Sequence, residues 1–197
     1  MRTFILLQLL VLATCWSSGQ ATPSGGIEKA EPKDTTGNVS KSASVKQPTP
    51  TVFQADEGDR WLLLGQKPLI FKVDPITTGS ESLVVGTEVM PPGNKIPLHK
   101  HLEEDEVIFV HQGAVQVKLA GREYEAREGA TVFIPHGNWI GVENLSDKPA
   151  MILFFFNKPA FEKCLRARSS REGEKFTMPS PDQMAAVQAE CHQVMKN

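Results

Sequence analysis

Apolar residues in this chain fall in short runs separated by turn residues. The runs are Trp61–Leu64, Leu69–Val73, Leu83–Met90, Val107–Val110, Ala114–Leu119, Thr131–Ile134, Ile140–Asn144 and Met151–Phe156. Between them lie Gly-Gln-Lys-Pro, Pro-Pro-Gly-Asn, Gln-Gly, Ala-Gly-Arg and Asp-Lys-Pro. Many short strands with regular turn signals argue for a sandwich or barrel and against an α/β fold. Val115, Val117 and Leu119 alternate with Gln116 and Lys118, the pattern of a strand with one wet face. The last forty residues differ. Phe161 and Leu165 lie at helical spacing within Pro159–Arg168, and Met184, Val187, Cys191 and Met195 do so within Asp182–Met195. Ser180 and Pro181 supply a start signal for the second. Two short helices on the outside of a β domain are expected, and no internal repeat is evident.

The N-terminal pattern is of another kind. Arg2 precedes an apolar stretch from Phe4 to Ala13, and Gly19-Gln20-Ala21 supplies small residues. The stretch is shorter than the ~20 apolar residues a membrane span needs. It reads as an export signal over residues 1–21. Leu12-Ala13-Thr14-Cys15 offers the alternative of a lipid anchor at Cys15. Residues 22–52 are rich in Pro, Gly, Ser, Thr, Lys and Glu and cannot bury enough surface to offset their ordering entropy, so a flexible linker is expected. The β barrel then takes 53–157 and the helical tail 158–197.

Charge excludes one class of partner. The formal net charge is −2, and loss of Arg2 with the leader would make it −3. No basic run is dense enough for a nucleic-acid face. Cys164 and Cys191 both lie in the tail; they could pair in an oxidising compartment or remain free thiols. Asn38 and Asn144 head glycosylation sequons, relevant only in a eukaryotic host.

The densest chemistry runs from Gly93 to Gly113. His99 and His101 are two apart, so in a strand both imidazoles leave the same face. Glu106 heads the next apolar run. Two imidazoles and a carboxylate from a neighbouring strand make a metal's ligand set. Glu103, Glu104 and Asp105 read as a solvated loop. By period 2, His111 faces away from Glu106; His136 sits in a tight turn, and His192 falls in the tail helix with an exposed side chain. Trp139 and Phe133 read as packing residues in preference to a substrate platform.

The spacing of Gly93, His99, His101, Glu106 and Gly113 resembles the first motif of the cupin superfamily, G-x5-H-x-H-x4-E-x6-G, at every fixed position. Asp105 would serve only at a shorter spacing that loses the six residues to Gly113. Gly129, Pro135, Gly137 and Asn144 resemble the second motif, G-x5-P-x-G-x2-H-x3-N, with Ile140 where a histidine is expected. The Pro-Ala-Phe-Glu sequence at 159–162 is similar to the ending of small quercetinase-like cupins. The resemblance implies an all-β fold, a double-stranded β-helix (jelly roll) barrel with a short α-helical C-terminal tail. It also implies a central divalent metal and commonly a homodimer.

Three functions stay open at this point. The first is a dioxygenase-like oxidoreductase, with Fe, Mn, Ni or Zn held by His99, His101 and Glu106, acting on a small organic molecule. The second is a non-enzymatic small-ligand binder whose metal site has degenerated at Ile140. The third, an isomerase of sugar-like substrates, lacks a visible charged clamp. In each case the partner is a small molecule, with no stable membrane span.

Overall fold

A computed structural model describes residues 47–196. The expected export signal, the Cys15 anchor and the Asn38 sequon lie outside those residues. Of the expected linker, 47–52 are described; they are exposed and carry neither helix nor strand.

Ten strands form the body: β1 (Asp59–Leu63), β2 (Lys67–Val73), β3 (Val84–Met90), β4 (Lys95–His101), β5 (Glu106–Gln112), β6 (Ala114–Leu119), β7 (Arg122–Arg127), β8 (Thr131–Ile134), β9 (Ile140–Glu143) and β10 (Ala150–Phe156). Helix α1 (Phe161–Ala167), strand β11 (Ser169–Ser170), helix α2 (Pro181–Glu190) and strand β12 (Gln193–Met195) complete the chain. Two antiparallel sheets result, ordered β11-β1-β2-β3-β10-β5-β8 and β12-β4-β9-β6-β7. This is the double-stranded β-helix expected of the motif pair.

Burial follows the periodicity. Along β10, Ala150, Ile152, Phe154 and Phe156 are buried and their neighbours less so. Central β3 is buried on nearly every residue, as a strand flanked by β2 and β10 should be. Gly86 in β3 has no room for a side chain, because a Cβ there would strike the Phe154 ring. The β6–β7 hairpin closes through Ala120 and Gly121, both at positive φ (49° and 81°), the mirror-image turn that fits strand twist.

The core divides into two clusters. Met90, Ile108, Val117, Ile134 and Ile140 belong to one. Leu69, Phe71, Phe154, Phe156 and Phe161 belong to the other. Asn144 ties loops together at the end of β9: its side-chain amide donates to the carbonyls of Met90 (2.8 Å) and Lys148 (2.7 Å). Its Oδ1 accepts from the Ser146 amide (3.0 Å) and hydroxyl (2.7 Å). The sequon nitrogen is thus buried and committed in the folded domain. Asn144→Ala is expected to lower stability by about 3 kcal/mol, since it removes the buried bond to the Met90 carbonyl together with those to Lys148 and Ser146. A urea titration checks it, and a midpoint unchanged from wild type would refute it.

The tail departs from expectation in two ways. Helix α2 begins as expected, with Ser180 and Gln183 forming a capping box and Pro181 in the first turn. It stops at Glu190, short of Met195. His192 takes a positive φ of 51° and turns the chain, and Gln193–Met195 pairs with the edge of β4. The unpaired backbone groups of that edge strand outweigh the helical pattern. Helix α2 has no buried residue, but α1 buries Phe161, Cys164 and Leu165 in the second core cluster, so only one helix lies outside. The Cys164 and Cys191 Cα atoms are 6.0 Å apart and the sulfurs are joined. No helix among the described residues is long and apolar enough to cross a membrane.

Candidate metal centre

Strand β4 lies between β12 and β9 in the smaller sheet, and its inward face carries His99 and His101. Glu106 opens β5 in the other sheet, opposite Phe156 of β10 and Ile134 of β8. The three side chains are buried and offer ligand atoms within 4.8 Å of one another. The structure therefore brings together the three residues singled out from sequence.

Hydrogen bonding at the centre is incomplete in an informative way. His101 Nε2 lies 3.3 Å from Glu106 Oε2, yet neither atom has a hydrogen-bond partner, and His101 Nδ1 has none either. Buried polar atoms are normally satisfied. A cation between the sheets would account for His101 Nε2 and Glu106 Oε2, and it would suit the nitrogen and oxygen donors present. His99 is prepared differently. Its Nδ1 donates to the Pro97 carbonyl at 2.8 Å, which leaves the Nε2 lone pair free. Burial lowers the His99 pKa to about 4, so the imidazole stays neutral and able to ligate at physiological pH. The residues present fit a divalent metal.

Aromatic rings close the surroundings. The Phe161 ring lies 4.3 Å from His101 and stacks on His99 at 6.0 Å, and Phe156 is 5.0 Å from His101 (centroid distances). Ile140 pairs with His99 across β4 and β9, is fully buried, and faces the same cavity as His99 and Glu106. That cavity measures about 160 Å³.

The other candidates fall elsewhere. His111 is exposed, and His136 Nδ1 lies 2.8 Å from Asp105 Oδ1 outside the centre. Neither Phe133 nor Trp139 lines the cavity; Phe133, expected to pack, is instead 58% exposed, and Trp139 stacks under Lys100 and Lys196. Two expectations need correction. Glu104 is fully buried, not solvated, because its carboxylate takes the His192 Nδ1 at 2.8 Å. His192 is correspondingly half-buried and lies beyond the helix. Four charged residues that sequence reasoning passed over also line the cavity: Lys67, Glu88, Lys95 and Arg168. Each comes from a different element, and no local pattern links them.

Residues 86–156 match the family model of the cupin domain. The polyketide synthase CurC of Streptomyces cyaneus is 30% identical over 80 residues, which cover 41% of this chain and 52% of that protein. Gentisate 1,2 dioxygenase 1 of Aquipseudomonas alcaligenes is 25% identical over 138 residues, covering 68% of this chain and 39% of that protein. The chain thus spans about half or less of the length of these relatives. Among solved structures, an RmlC-like cupin from Shewanella frigidimarina aligns with a TM-score of 0.50 at 14% identity, over 59% of this chain and 98% of the other. The matched segment contains both histidines, Glu106 and the strands around them, and the fold agrees, so residues 86–156 form a cupin domain.

Proposed function

We propose that this protein is a metal-dependent oxidoreductase of dioxygenase type, acting on a small organic molecule in the cavity beside His99 and Glu106. One observation carries the reading: buried ligand atoms of His101 and Glu106 without partners converge with His99 at the end of a largely apolar cavity. A redox-active divalent metal held there would supply the activation of dioxygen or of a substrate oxygen. The chain supplies the rest. His99 and His101 would offer the metal nitrogen donors and Glu106 a carboxylate oxygen. Phe156, Phe161 and Ile140 keep bulk water from the centre. With three protein ligands, coordination positions stay free for small molecules, as in catalytic sites generally. The similarity to a gentisate dioxygenase over 138 residues is in keeping with this assignment.

A second reading rests on Ile140. An aliphatic side chain where cupins place a histidine fits a plain binding cavity, with the metal site degenerate. The export signal read from residues 1–21 would carry either activity outside the cytoplasm, and a Cys164–Cys191 disulfide suits that setting. Protein from the native host, purified without chelator, discriminates these readings by elemental analysis, oxygen uptake with small aromatic substrates, and intact mass. About one equivalent of redox metal, oxygen uptake that chelation abolishes, and a mass beginning near residue 22 or at lipidated Cys15 are expected. Protein free of metal would replace the oxidoreductase by the binding cavity, and a full-length mass would sink export.

A further inference from the structure

The cavity wall carries more charge than an apolar binding site requires. Lys67, Glu88, Lys95 and Arg168 line it together with His99 and Glu106, among Ile96, Ile140, Val142, Ile152 and Phe154. Three of these four are matched: Lys95 Nζ lies 3.1 Å from Glu143 Oε2, and Lys67 and Glu88 are matched to each other. Lys67 Nζ sits 3.4 Å from Glu88 Oε1 and 3.3 Å from Asn94 Oδ1.

Arg168 is different. Its Nε donates to the Cys164 carbonyl at 3.0 Å, which fixes the side chain, and its own carbonyl accepts from the Leu64 amide at 2.8 Å, which fixes the backbone. Among the described residues its guanidinium forms no ion pair, whereas Arg166 and Arg171 both pair with Asp59. Burial pulls the Arg168 guanidinium below its ordinary value, against the opposing charge of Glu88, yet guanidinium remains protonated in proteins. A fixed, partly desolvated cation with free amino groups is built to take a planar anion in a forked, two-bond geometry.

Size narrows the class. An apolar cavity of about 150 Å³ is known to hold one benzene ring; this one is about 160 Å³. We propose that the cavity selects a small organic anion of about one ring's bulk, its carboxylate or equivalent oxyanion held by Arg168 and its body against Ile140, Ile152 and Phe154. The inference rests on reading this cavity as the substrate site. It does not require the metal.

Calorimetric titration of the full chain with benzoate and with benzamide, its neutral counterpart, tests the proposal. Metal-free and Zn(II)-supplemented protein are compared for wild type, Arg168→Gln and Arg168→Lys. Wild type without metal is expected to bind benzoate about tenfold more tightly than benzamide, the usual advantage of a charge-assisted hydrogen bond. Arg168→Gln is expected to bring the two affinities together by weakening benzoate alone, and Arg168→Lys to keep part of the preference. Equal affinities in wild type, or a preference that survives Arg168→Gln, would overturn it. Benzamide binding reports whether the cavity survives substitution. If Arg168→Gln loses both ligands, Arg168→Lys decides, with a reduced preference supporting the subsite and an unchanged one overturning it. Zinc binding is read separately in the same samples. Its failure beside an Arg168-dependent benzoate preference would sink the metal assignment and leave the anion subsite standing.

Discussion

His99→Ala and Glu106→Ala are each expected to weaken divalent-metal binding by more than about 100-fold, the upper range of the effect of disturbing a ligand's supporting hydrogen bonds alone. Each substitution leaves two protein ligands of three. Ile140→His should do the reverse. Ile140 is opposite His99 in register and faces the shared cavity, so an imidazole there can reach the same ion. Without metal, that imidazole is a polar group in a fully buried apolar place, which costs about 1–3 kcal/mol. With metal, the cost is recovered, because a ligand that binds only the native state stabilises it by mass action.

The variant should therefore melt below wild type when metal-free and gain more than wild type when Fe(II), Mn(II), Ni(II) or Zn(II) is added. Any oxidoreductase activity should fall, since the new ligand takes a position a reactant would use. Thermal shifts and equilibrium titrations of the three variants read all of this. Wild type that binds none of the four ions, or His99→Ala that binds as wild type does, would remove the centre and leave only the cavity.

The triad was legible because its two halves are local. His99 and His101 share a strand face by spacing alone, and Glu106 opens the next strand across a short loop. Most strands were legible for a similar reason, since a periodic run reports its own buried face. Where a strand has no apolar face, the signal vanishes. Arg122–Arg127 is polar at nearly every position, with Ala126 alone buried, yet it pairs along the whole of β6. Strand β4 was visible through its histidines but carries Pro97, which weakens any strand pattern. The charged cavity wall was not legible at all. Lys67 meets Glu88 from 21 positions away, and Arg168 arrives from the end of α1. The same holds for Glu104, an acid among acids on paper, buried because His192 crosses 88 positions to cover it. Burial imposed by a remote segment leaves no trace in the pattern of the residue that is buried.

Reducing the Cys164–Cys191 bond is expected to lower stability by roughly 3.5 kcal/mol in the chain-entropy account, for a closed loop spanning 27 positions. The bond joins α1 to the residue before the β12 turn. Phe161 and Leu165 on one side of it, and Gln193 and Met195 on the other, line the cavity. Backbone bonds from Leu102 to His192 (2.8 Å) and from Lys196 to Leu98 (2.9 Å) seat the strap on β4. The His192–Glu104 pair and buried Cys191 and Gln193 add to this hold, while α2 contributes no buried residue. Reduction should thus act on the strap before the barrel. Amide exchange at Gln193–Met195 and along the β4 edge should accelerate while exchange in β3 and β10 stays slow, because segments with few buried contacts open first. Cys164→Ala with Cys191→Ala should reproduce both the lower urea midpoint and the local exchange. Alkylation of the non-reduced protein from its native host should find no free thiol at either position. Two free thiols there would refute the bond, and exchange rising uniformly across the barrel would refute the strap.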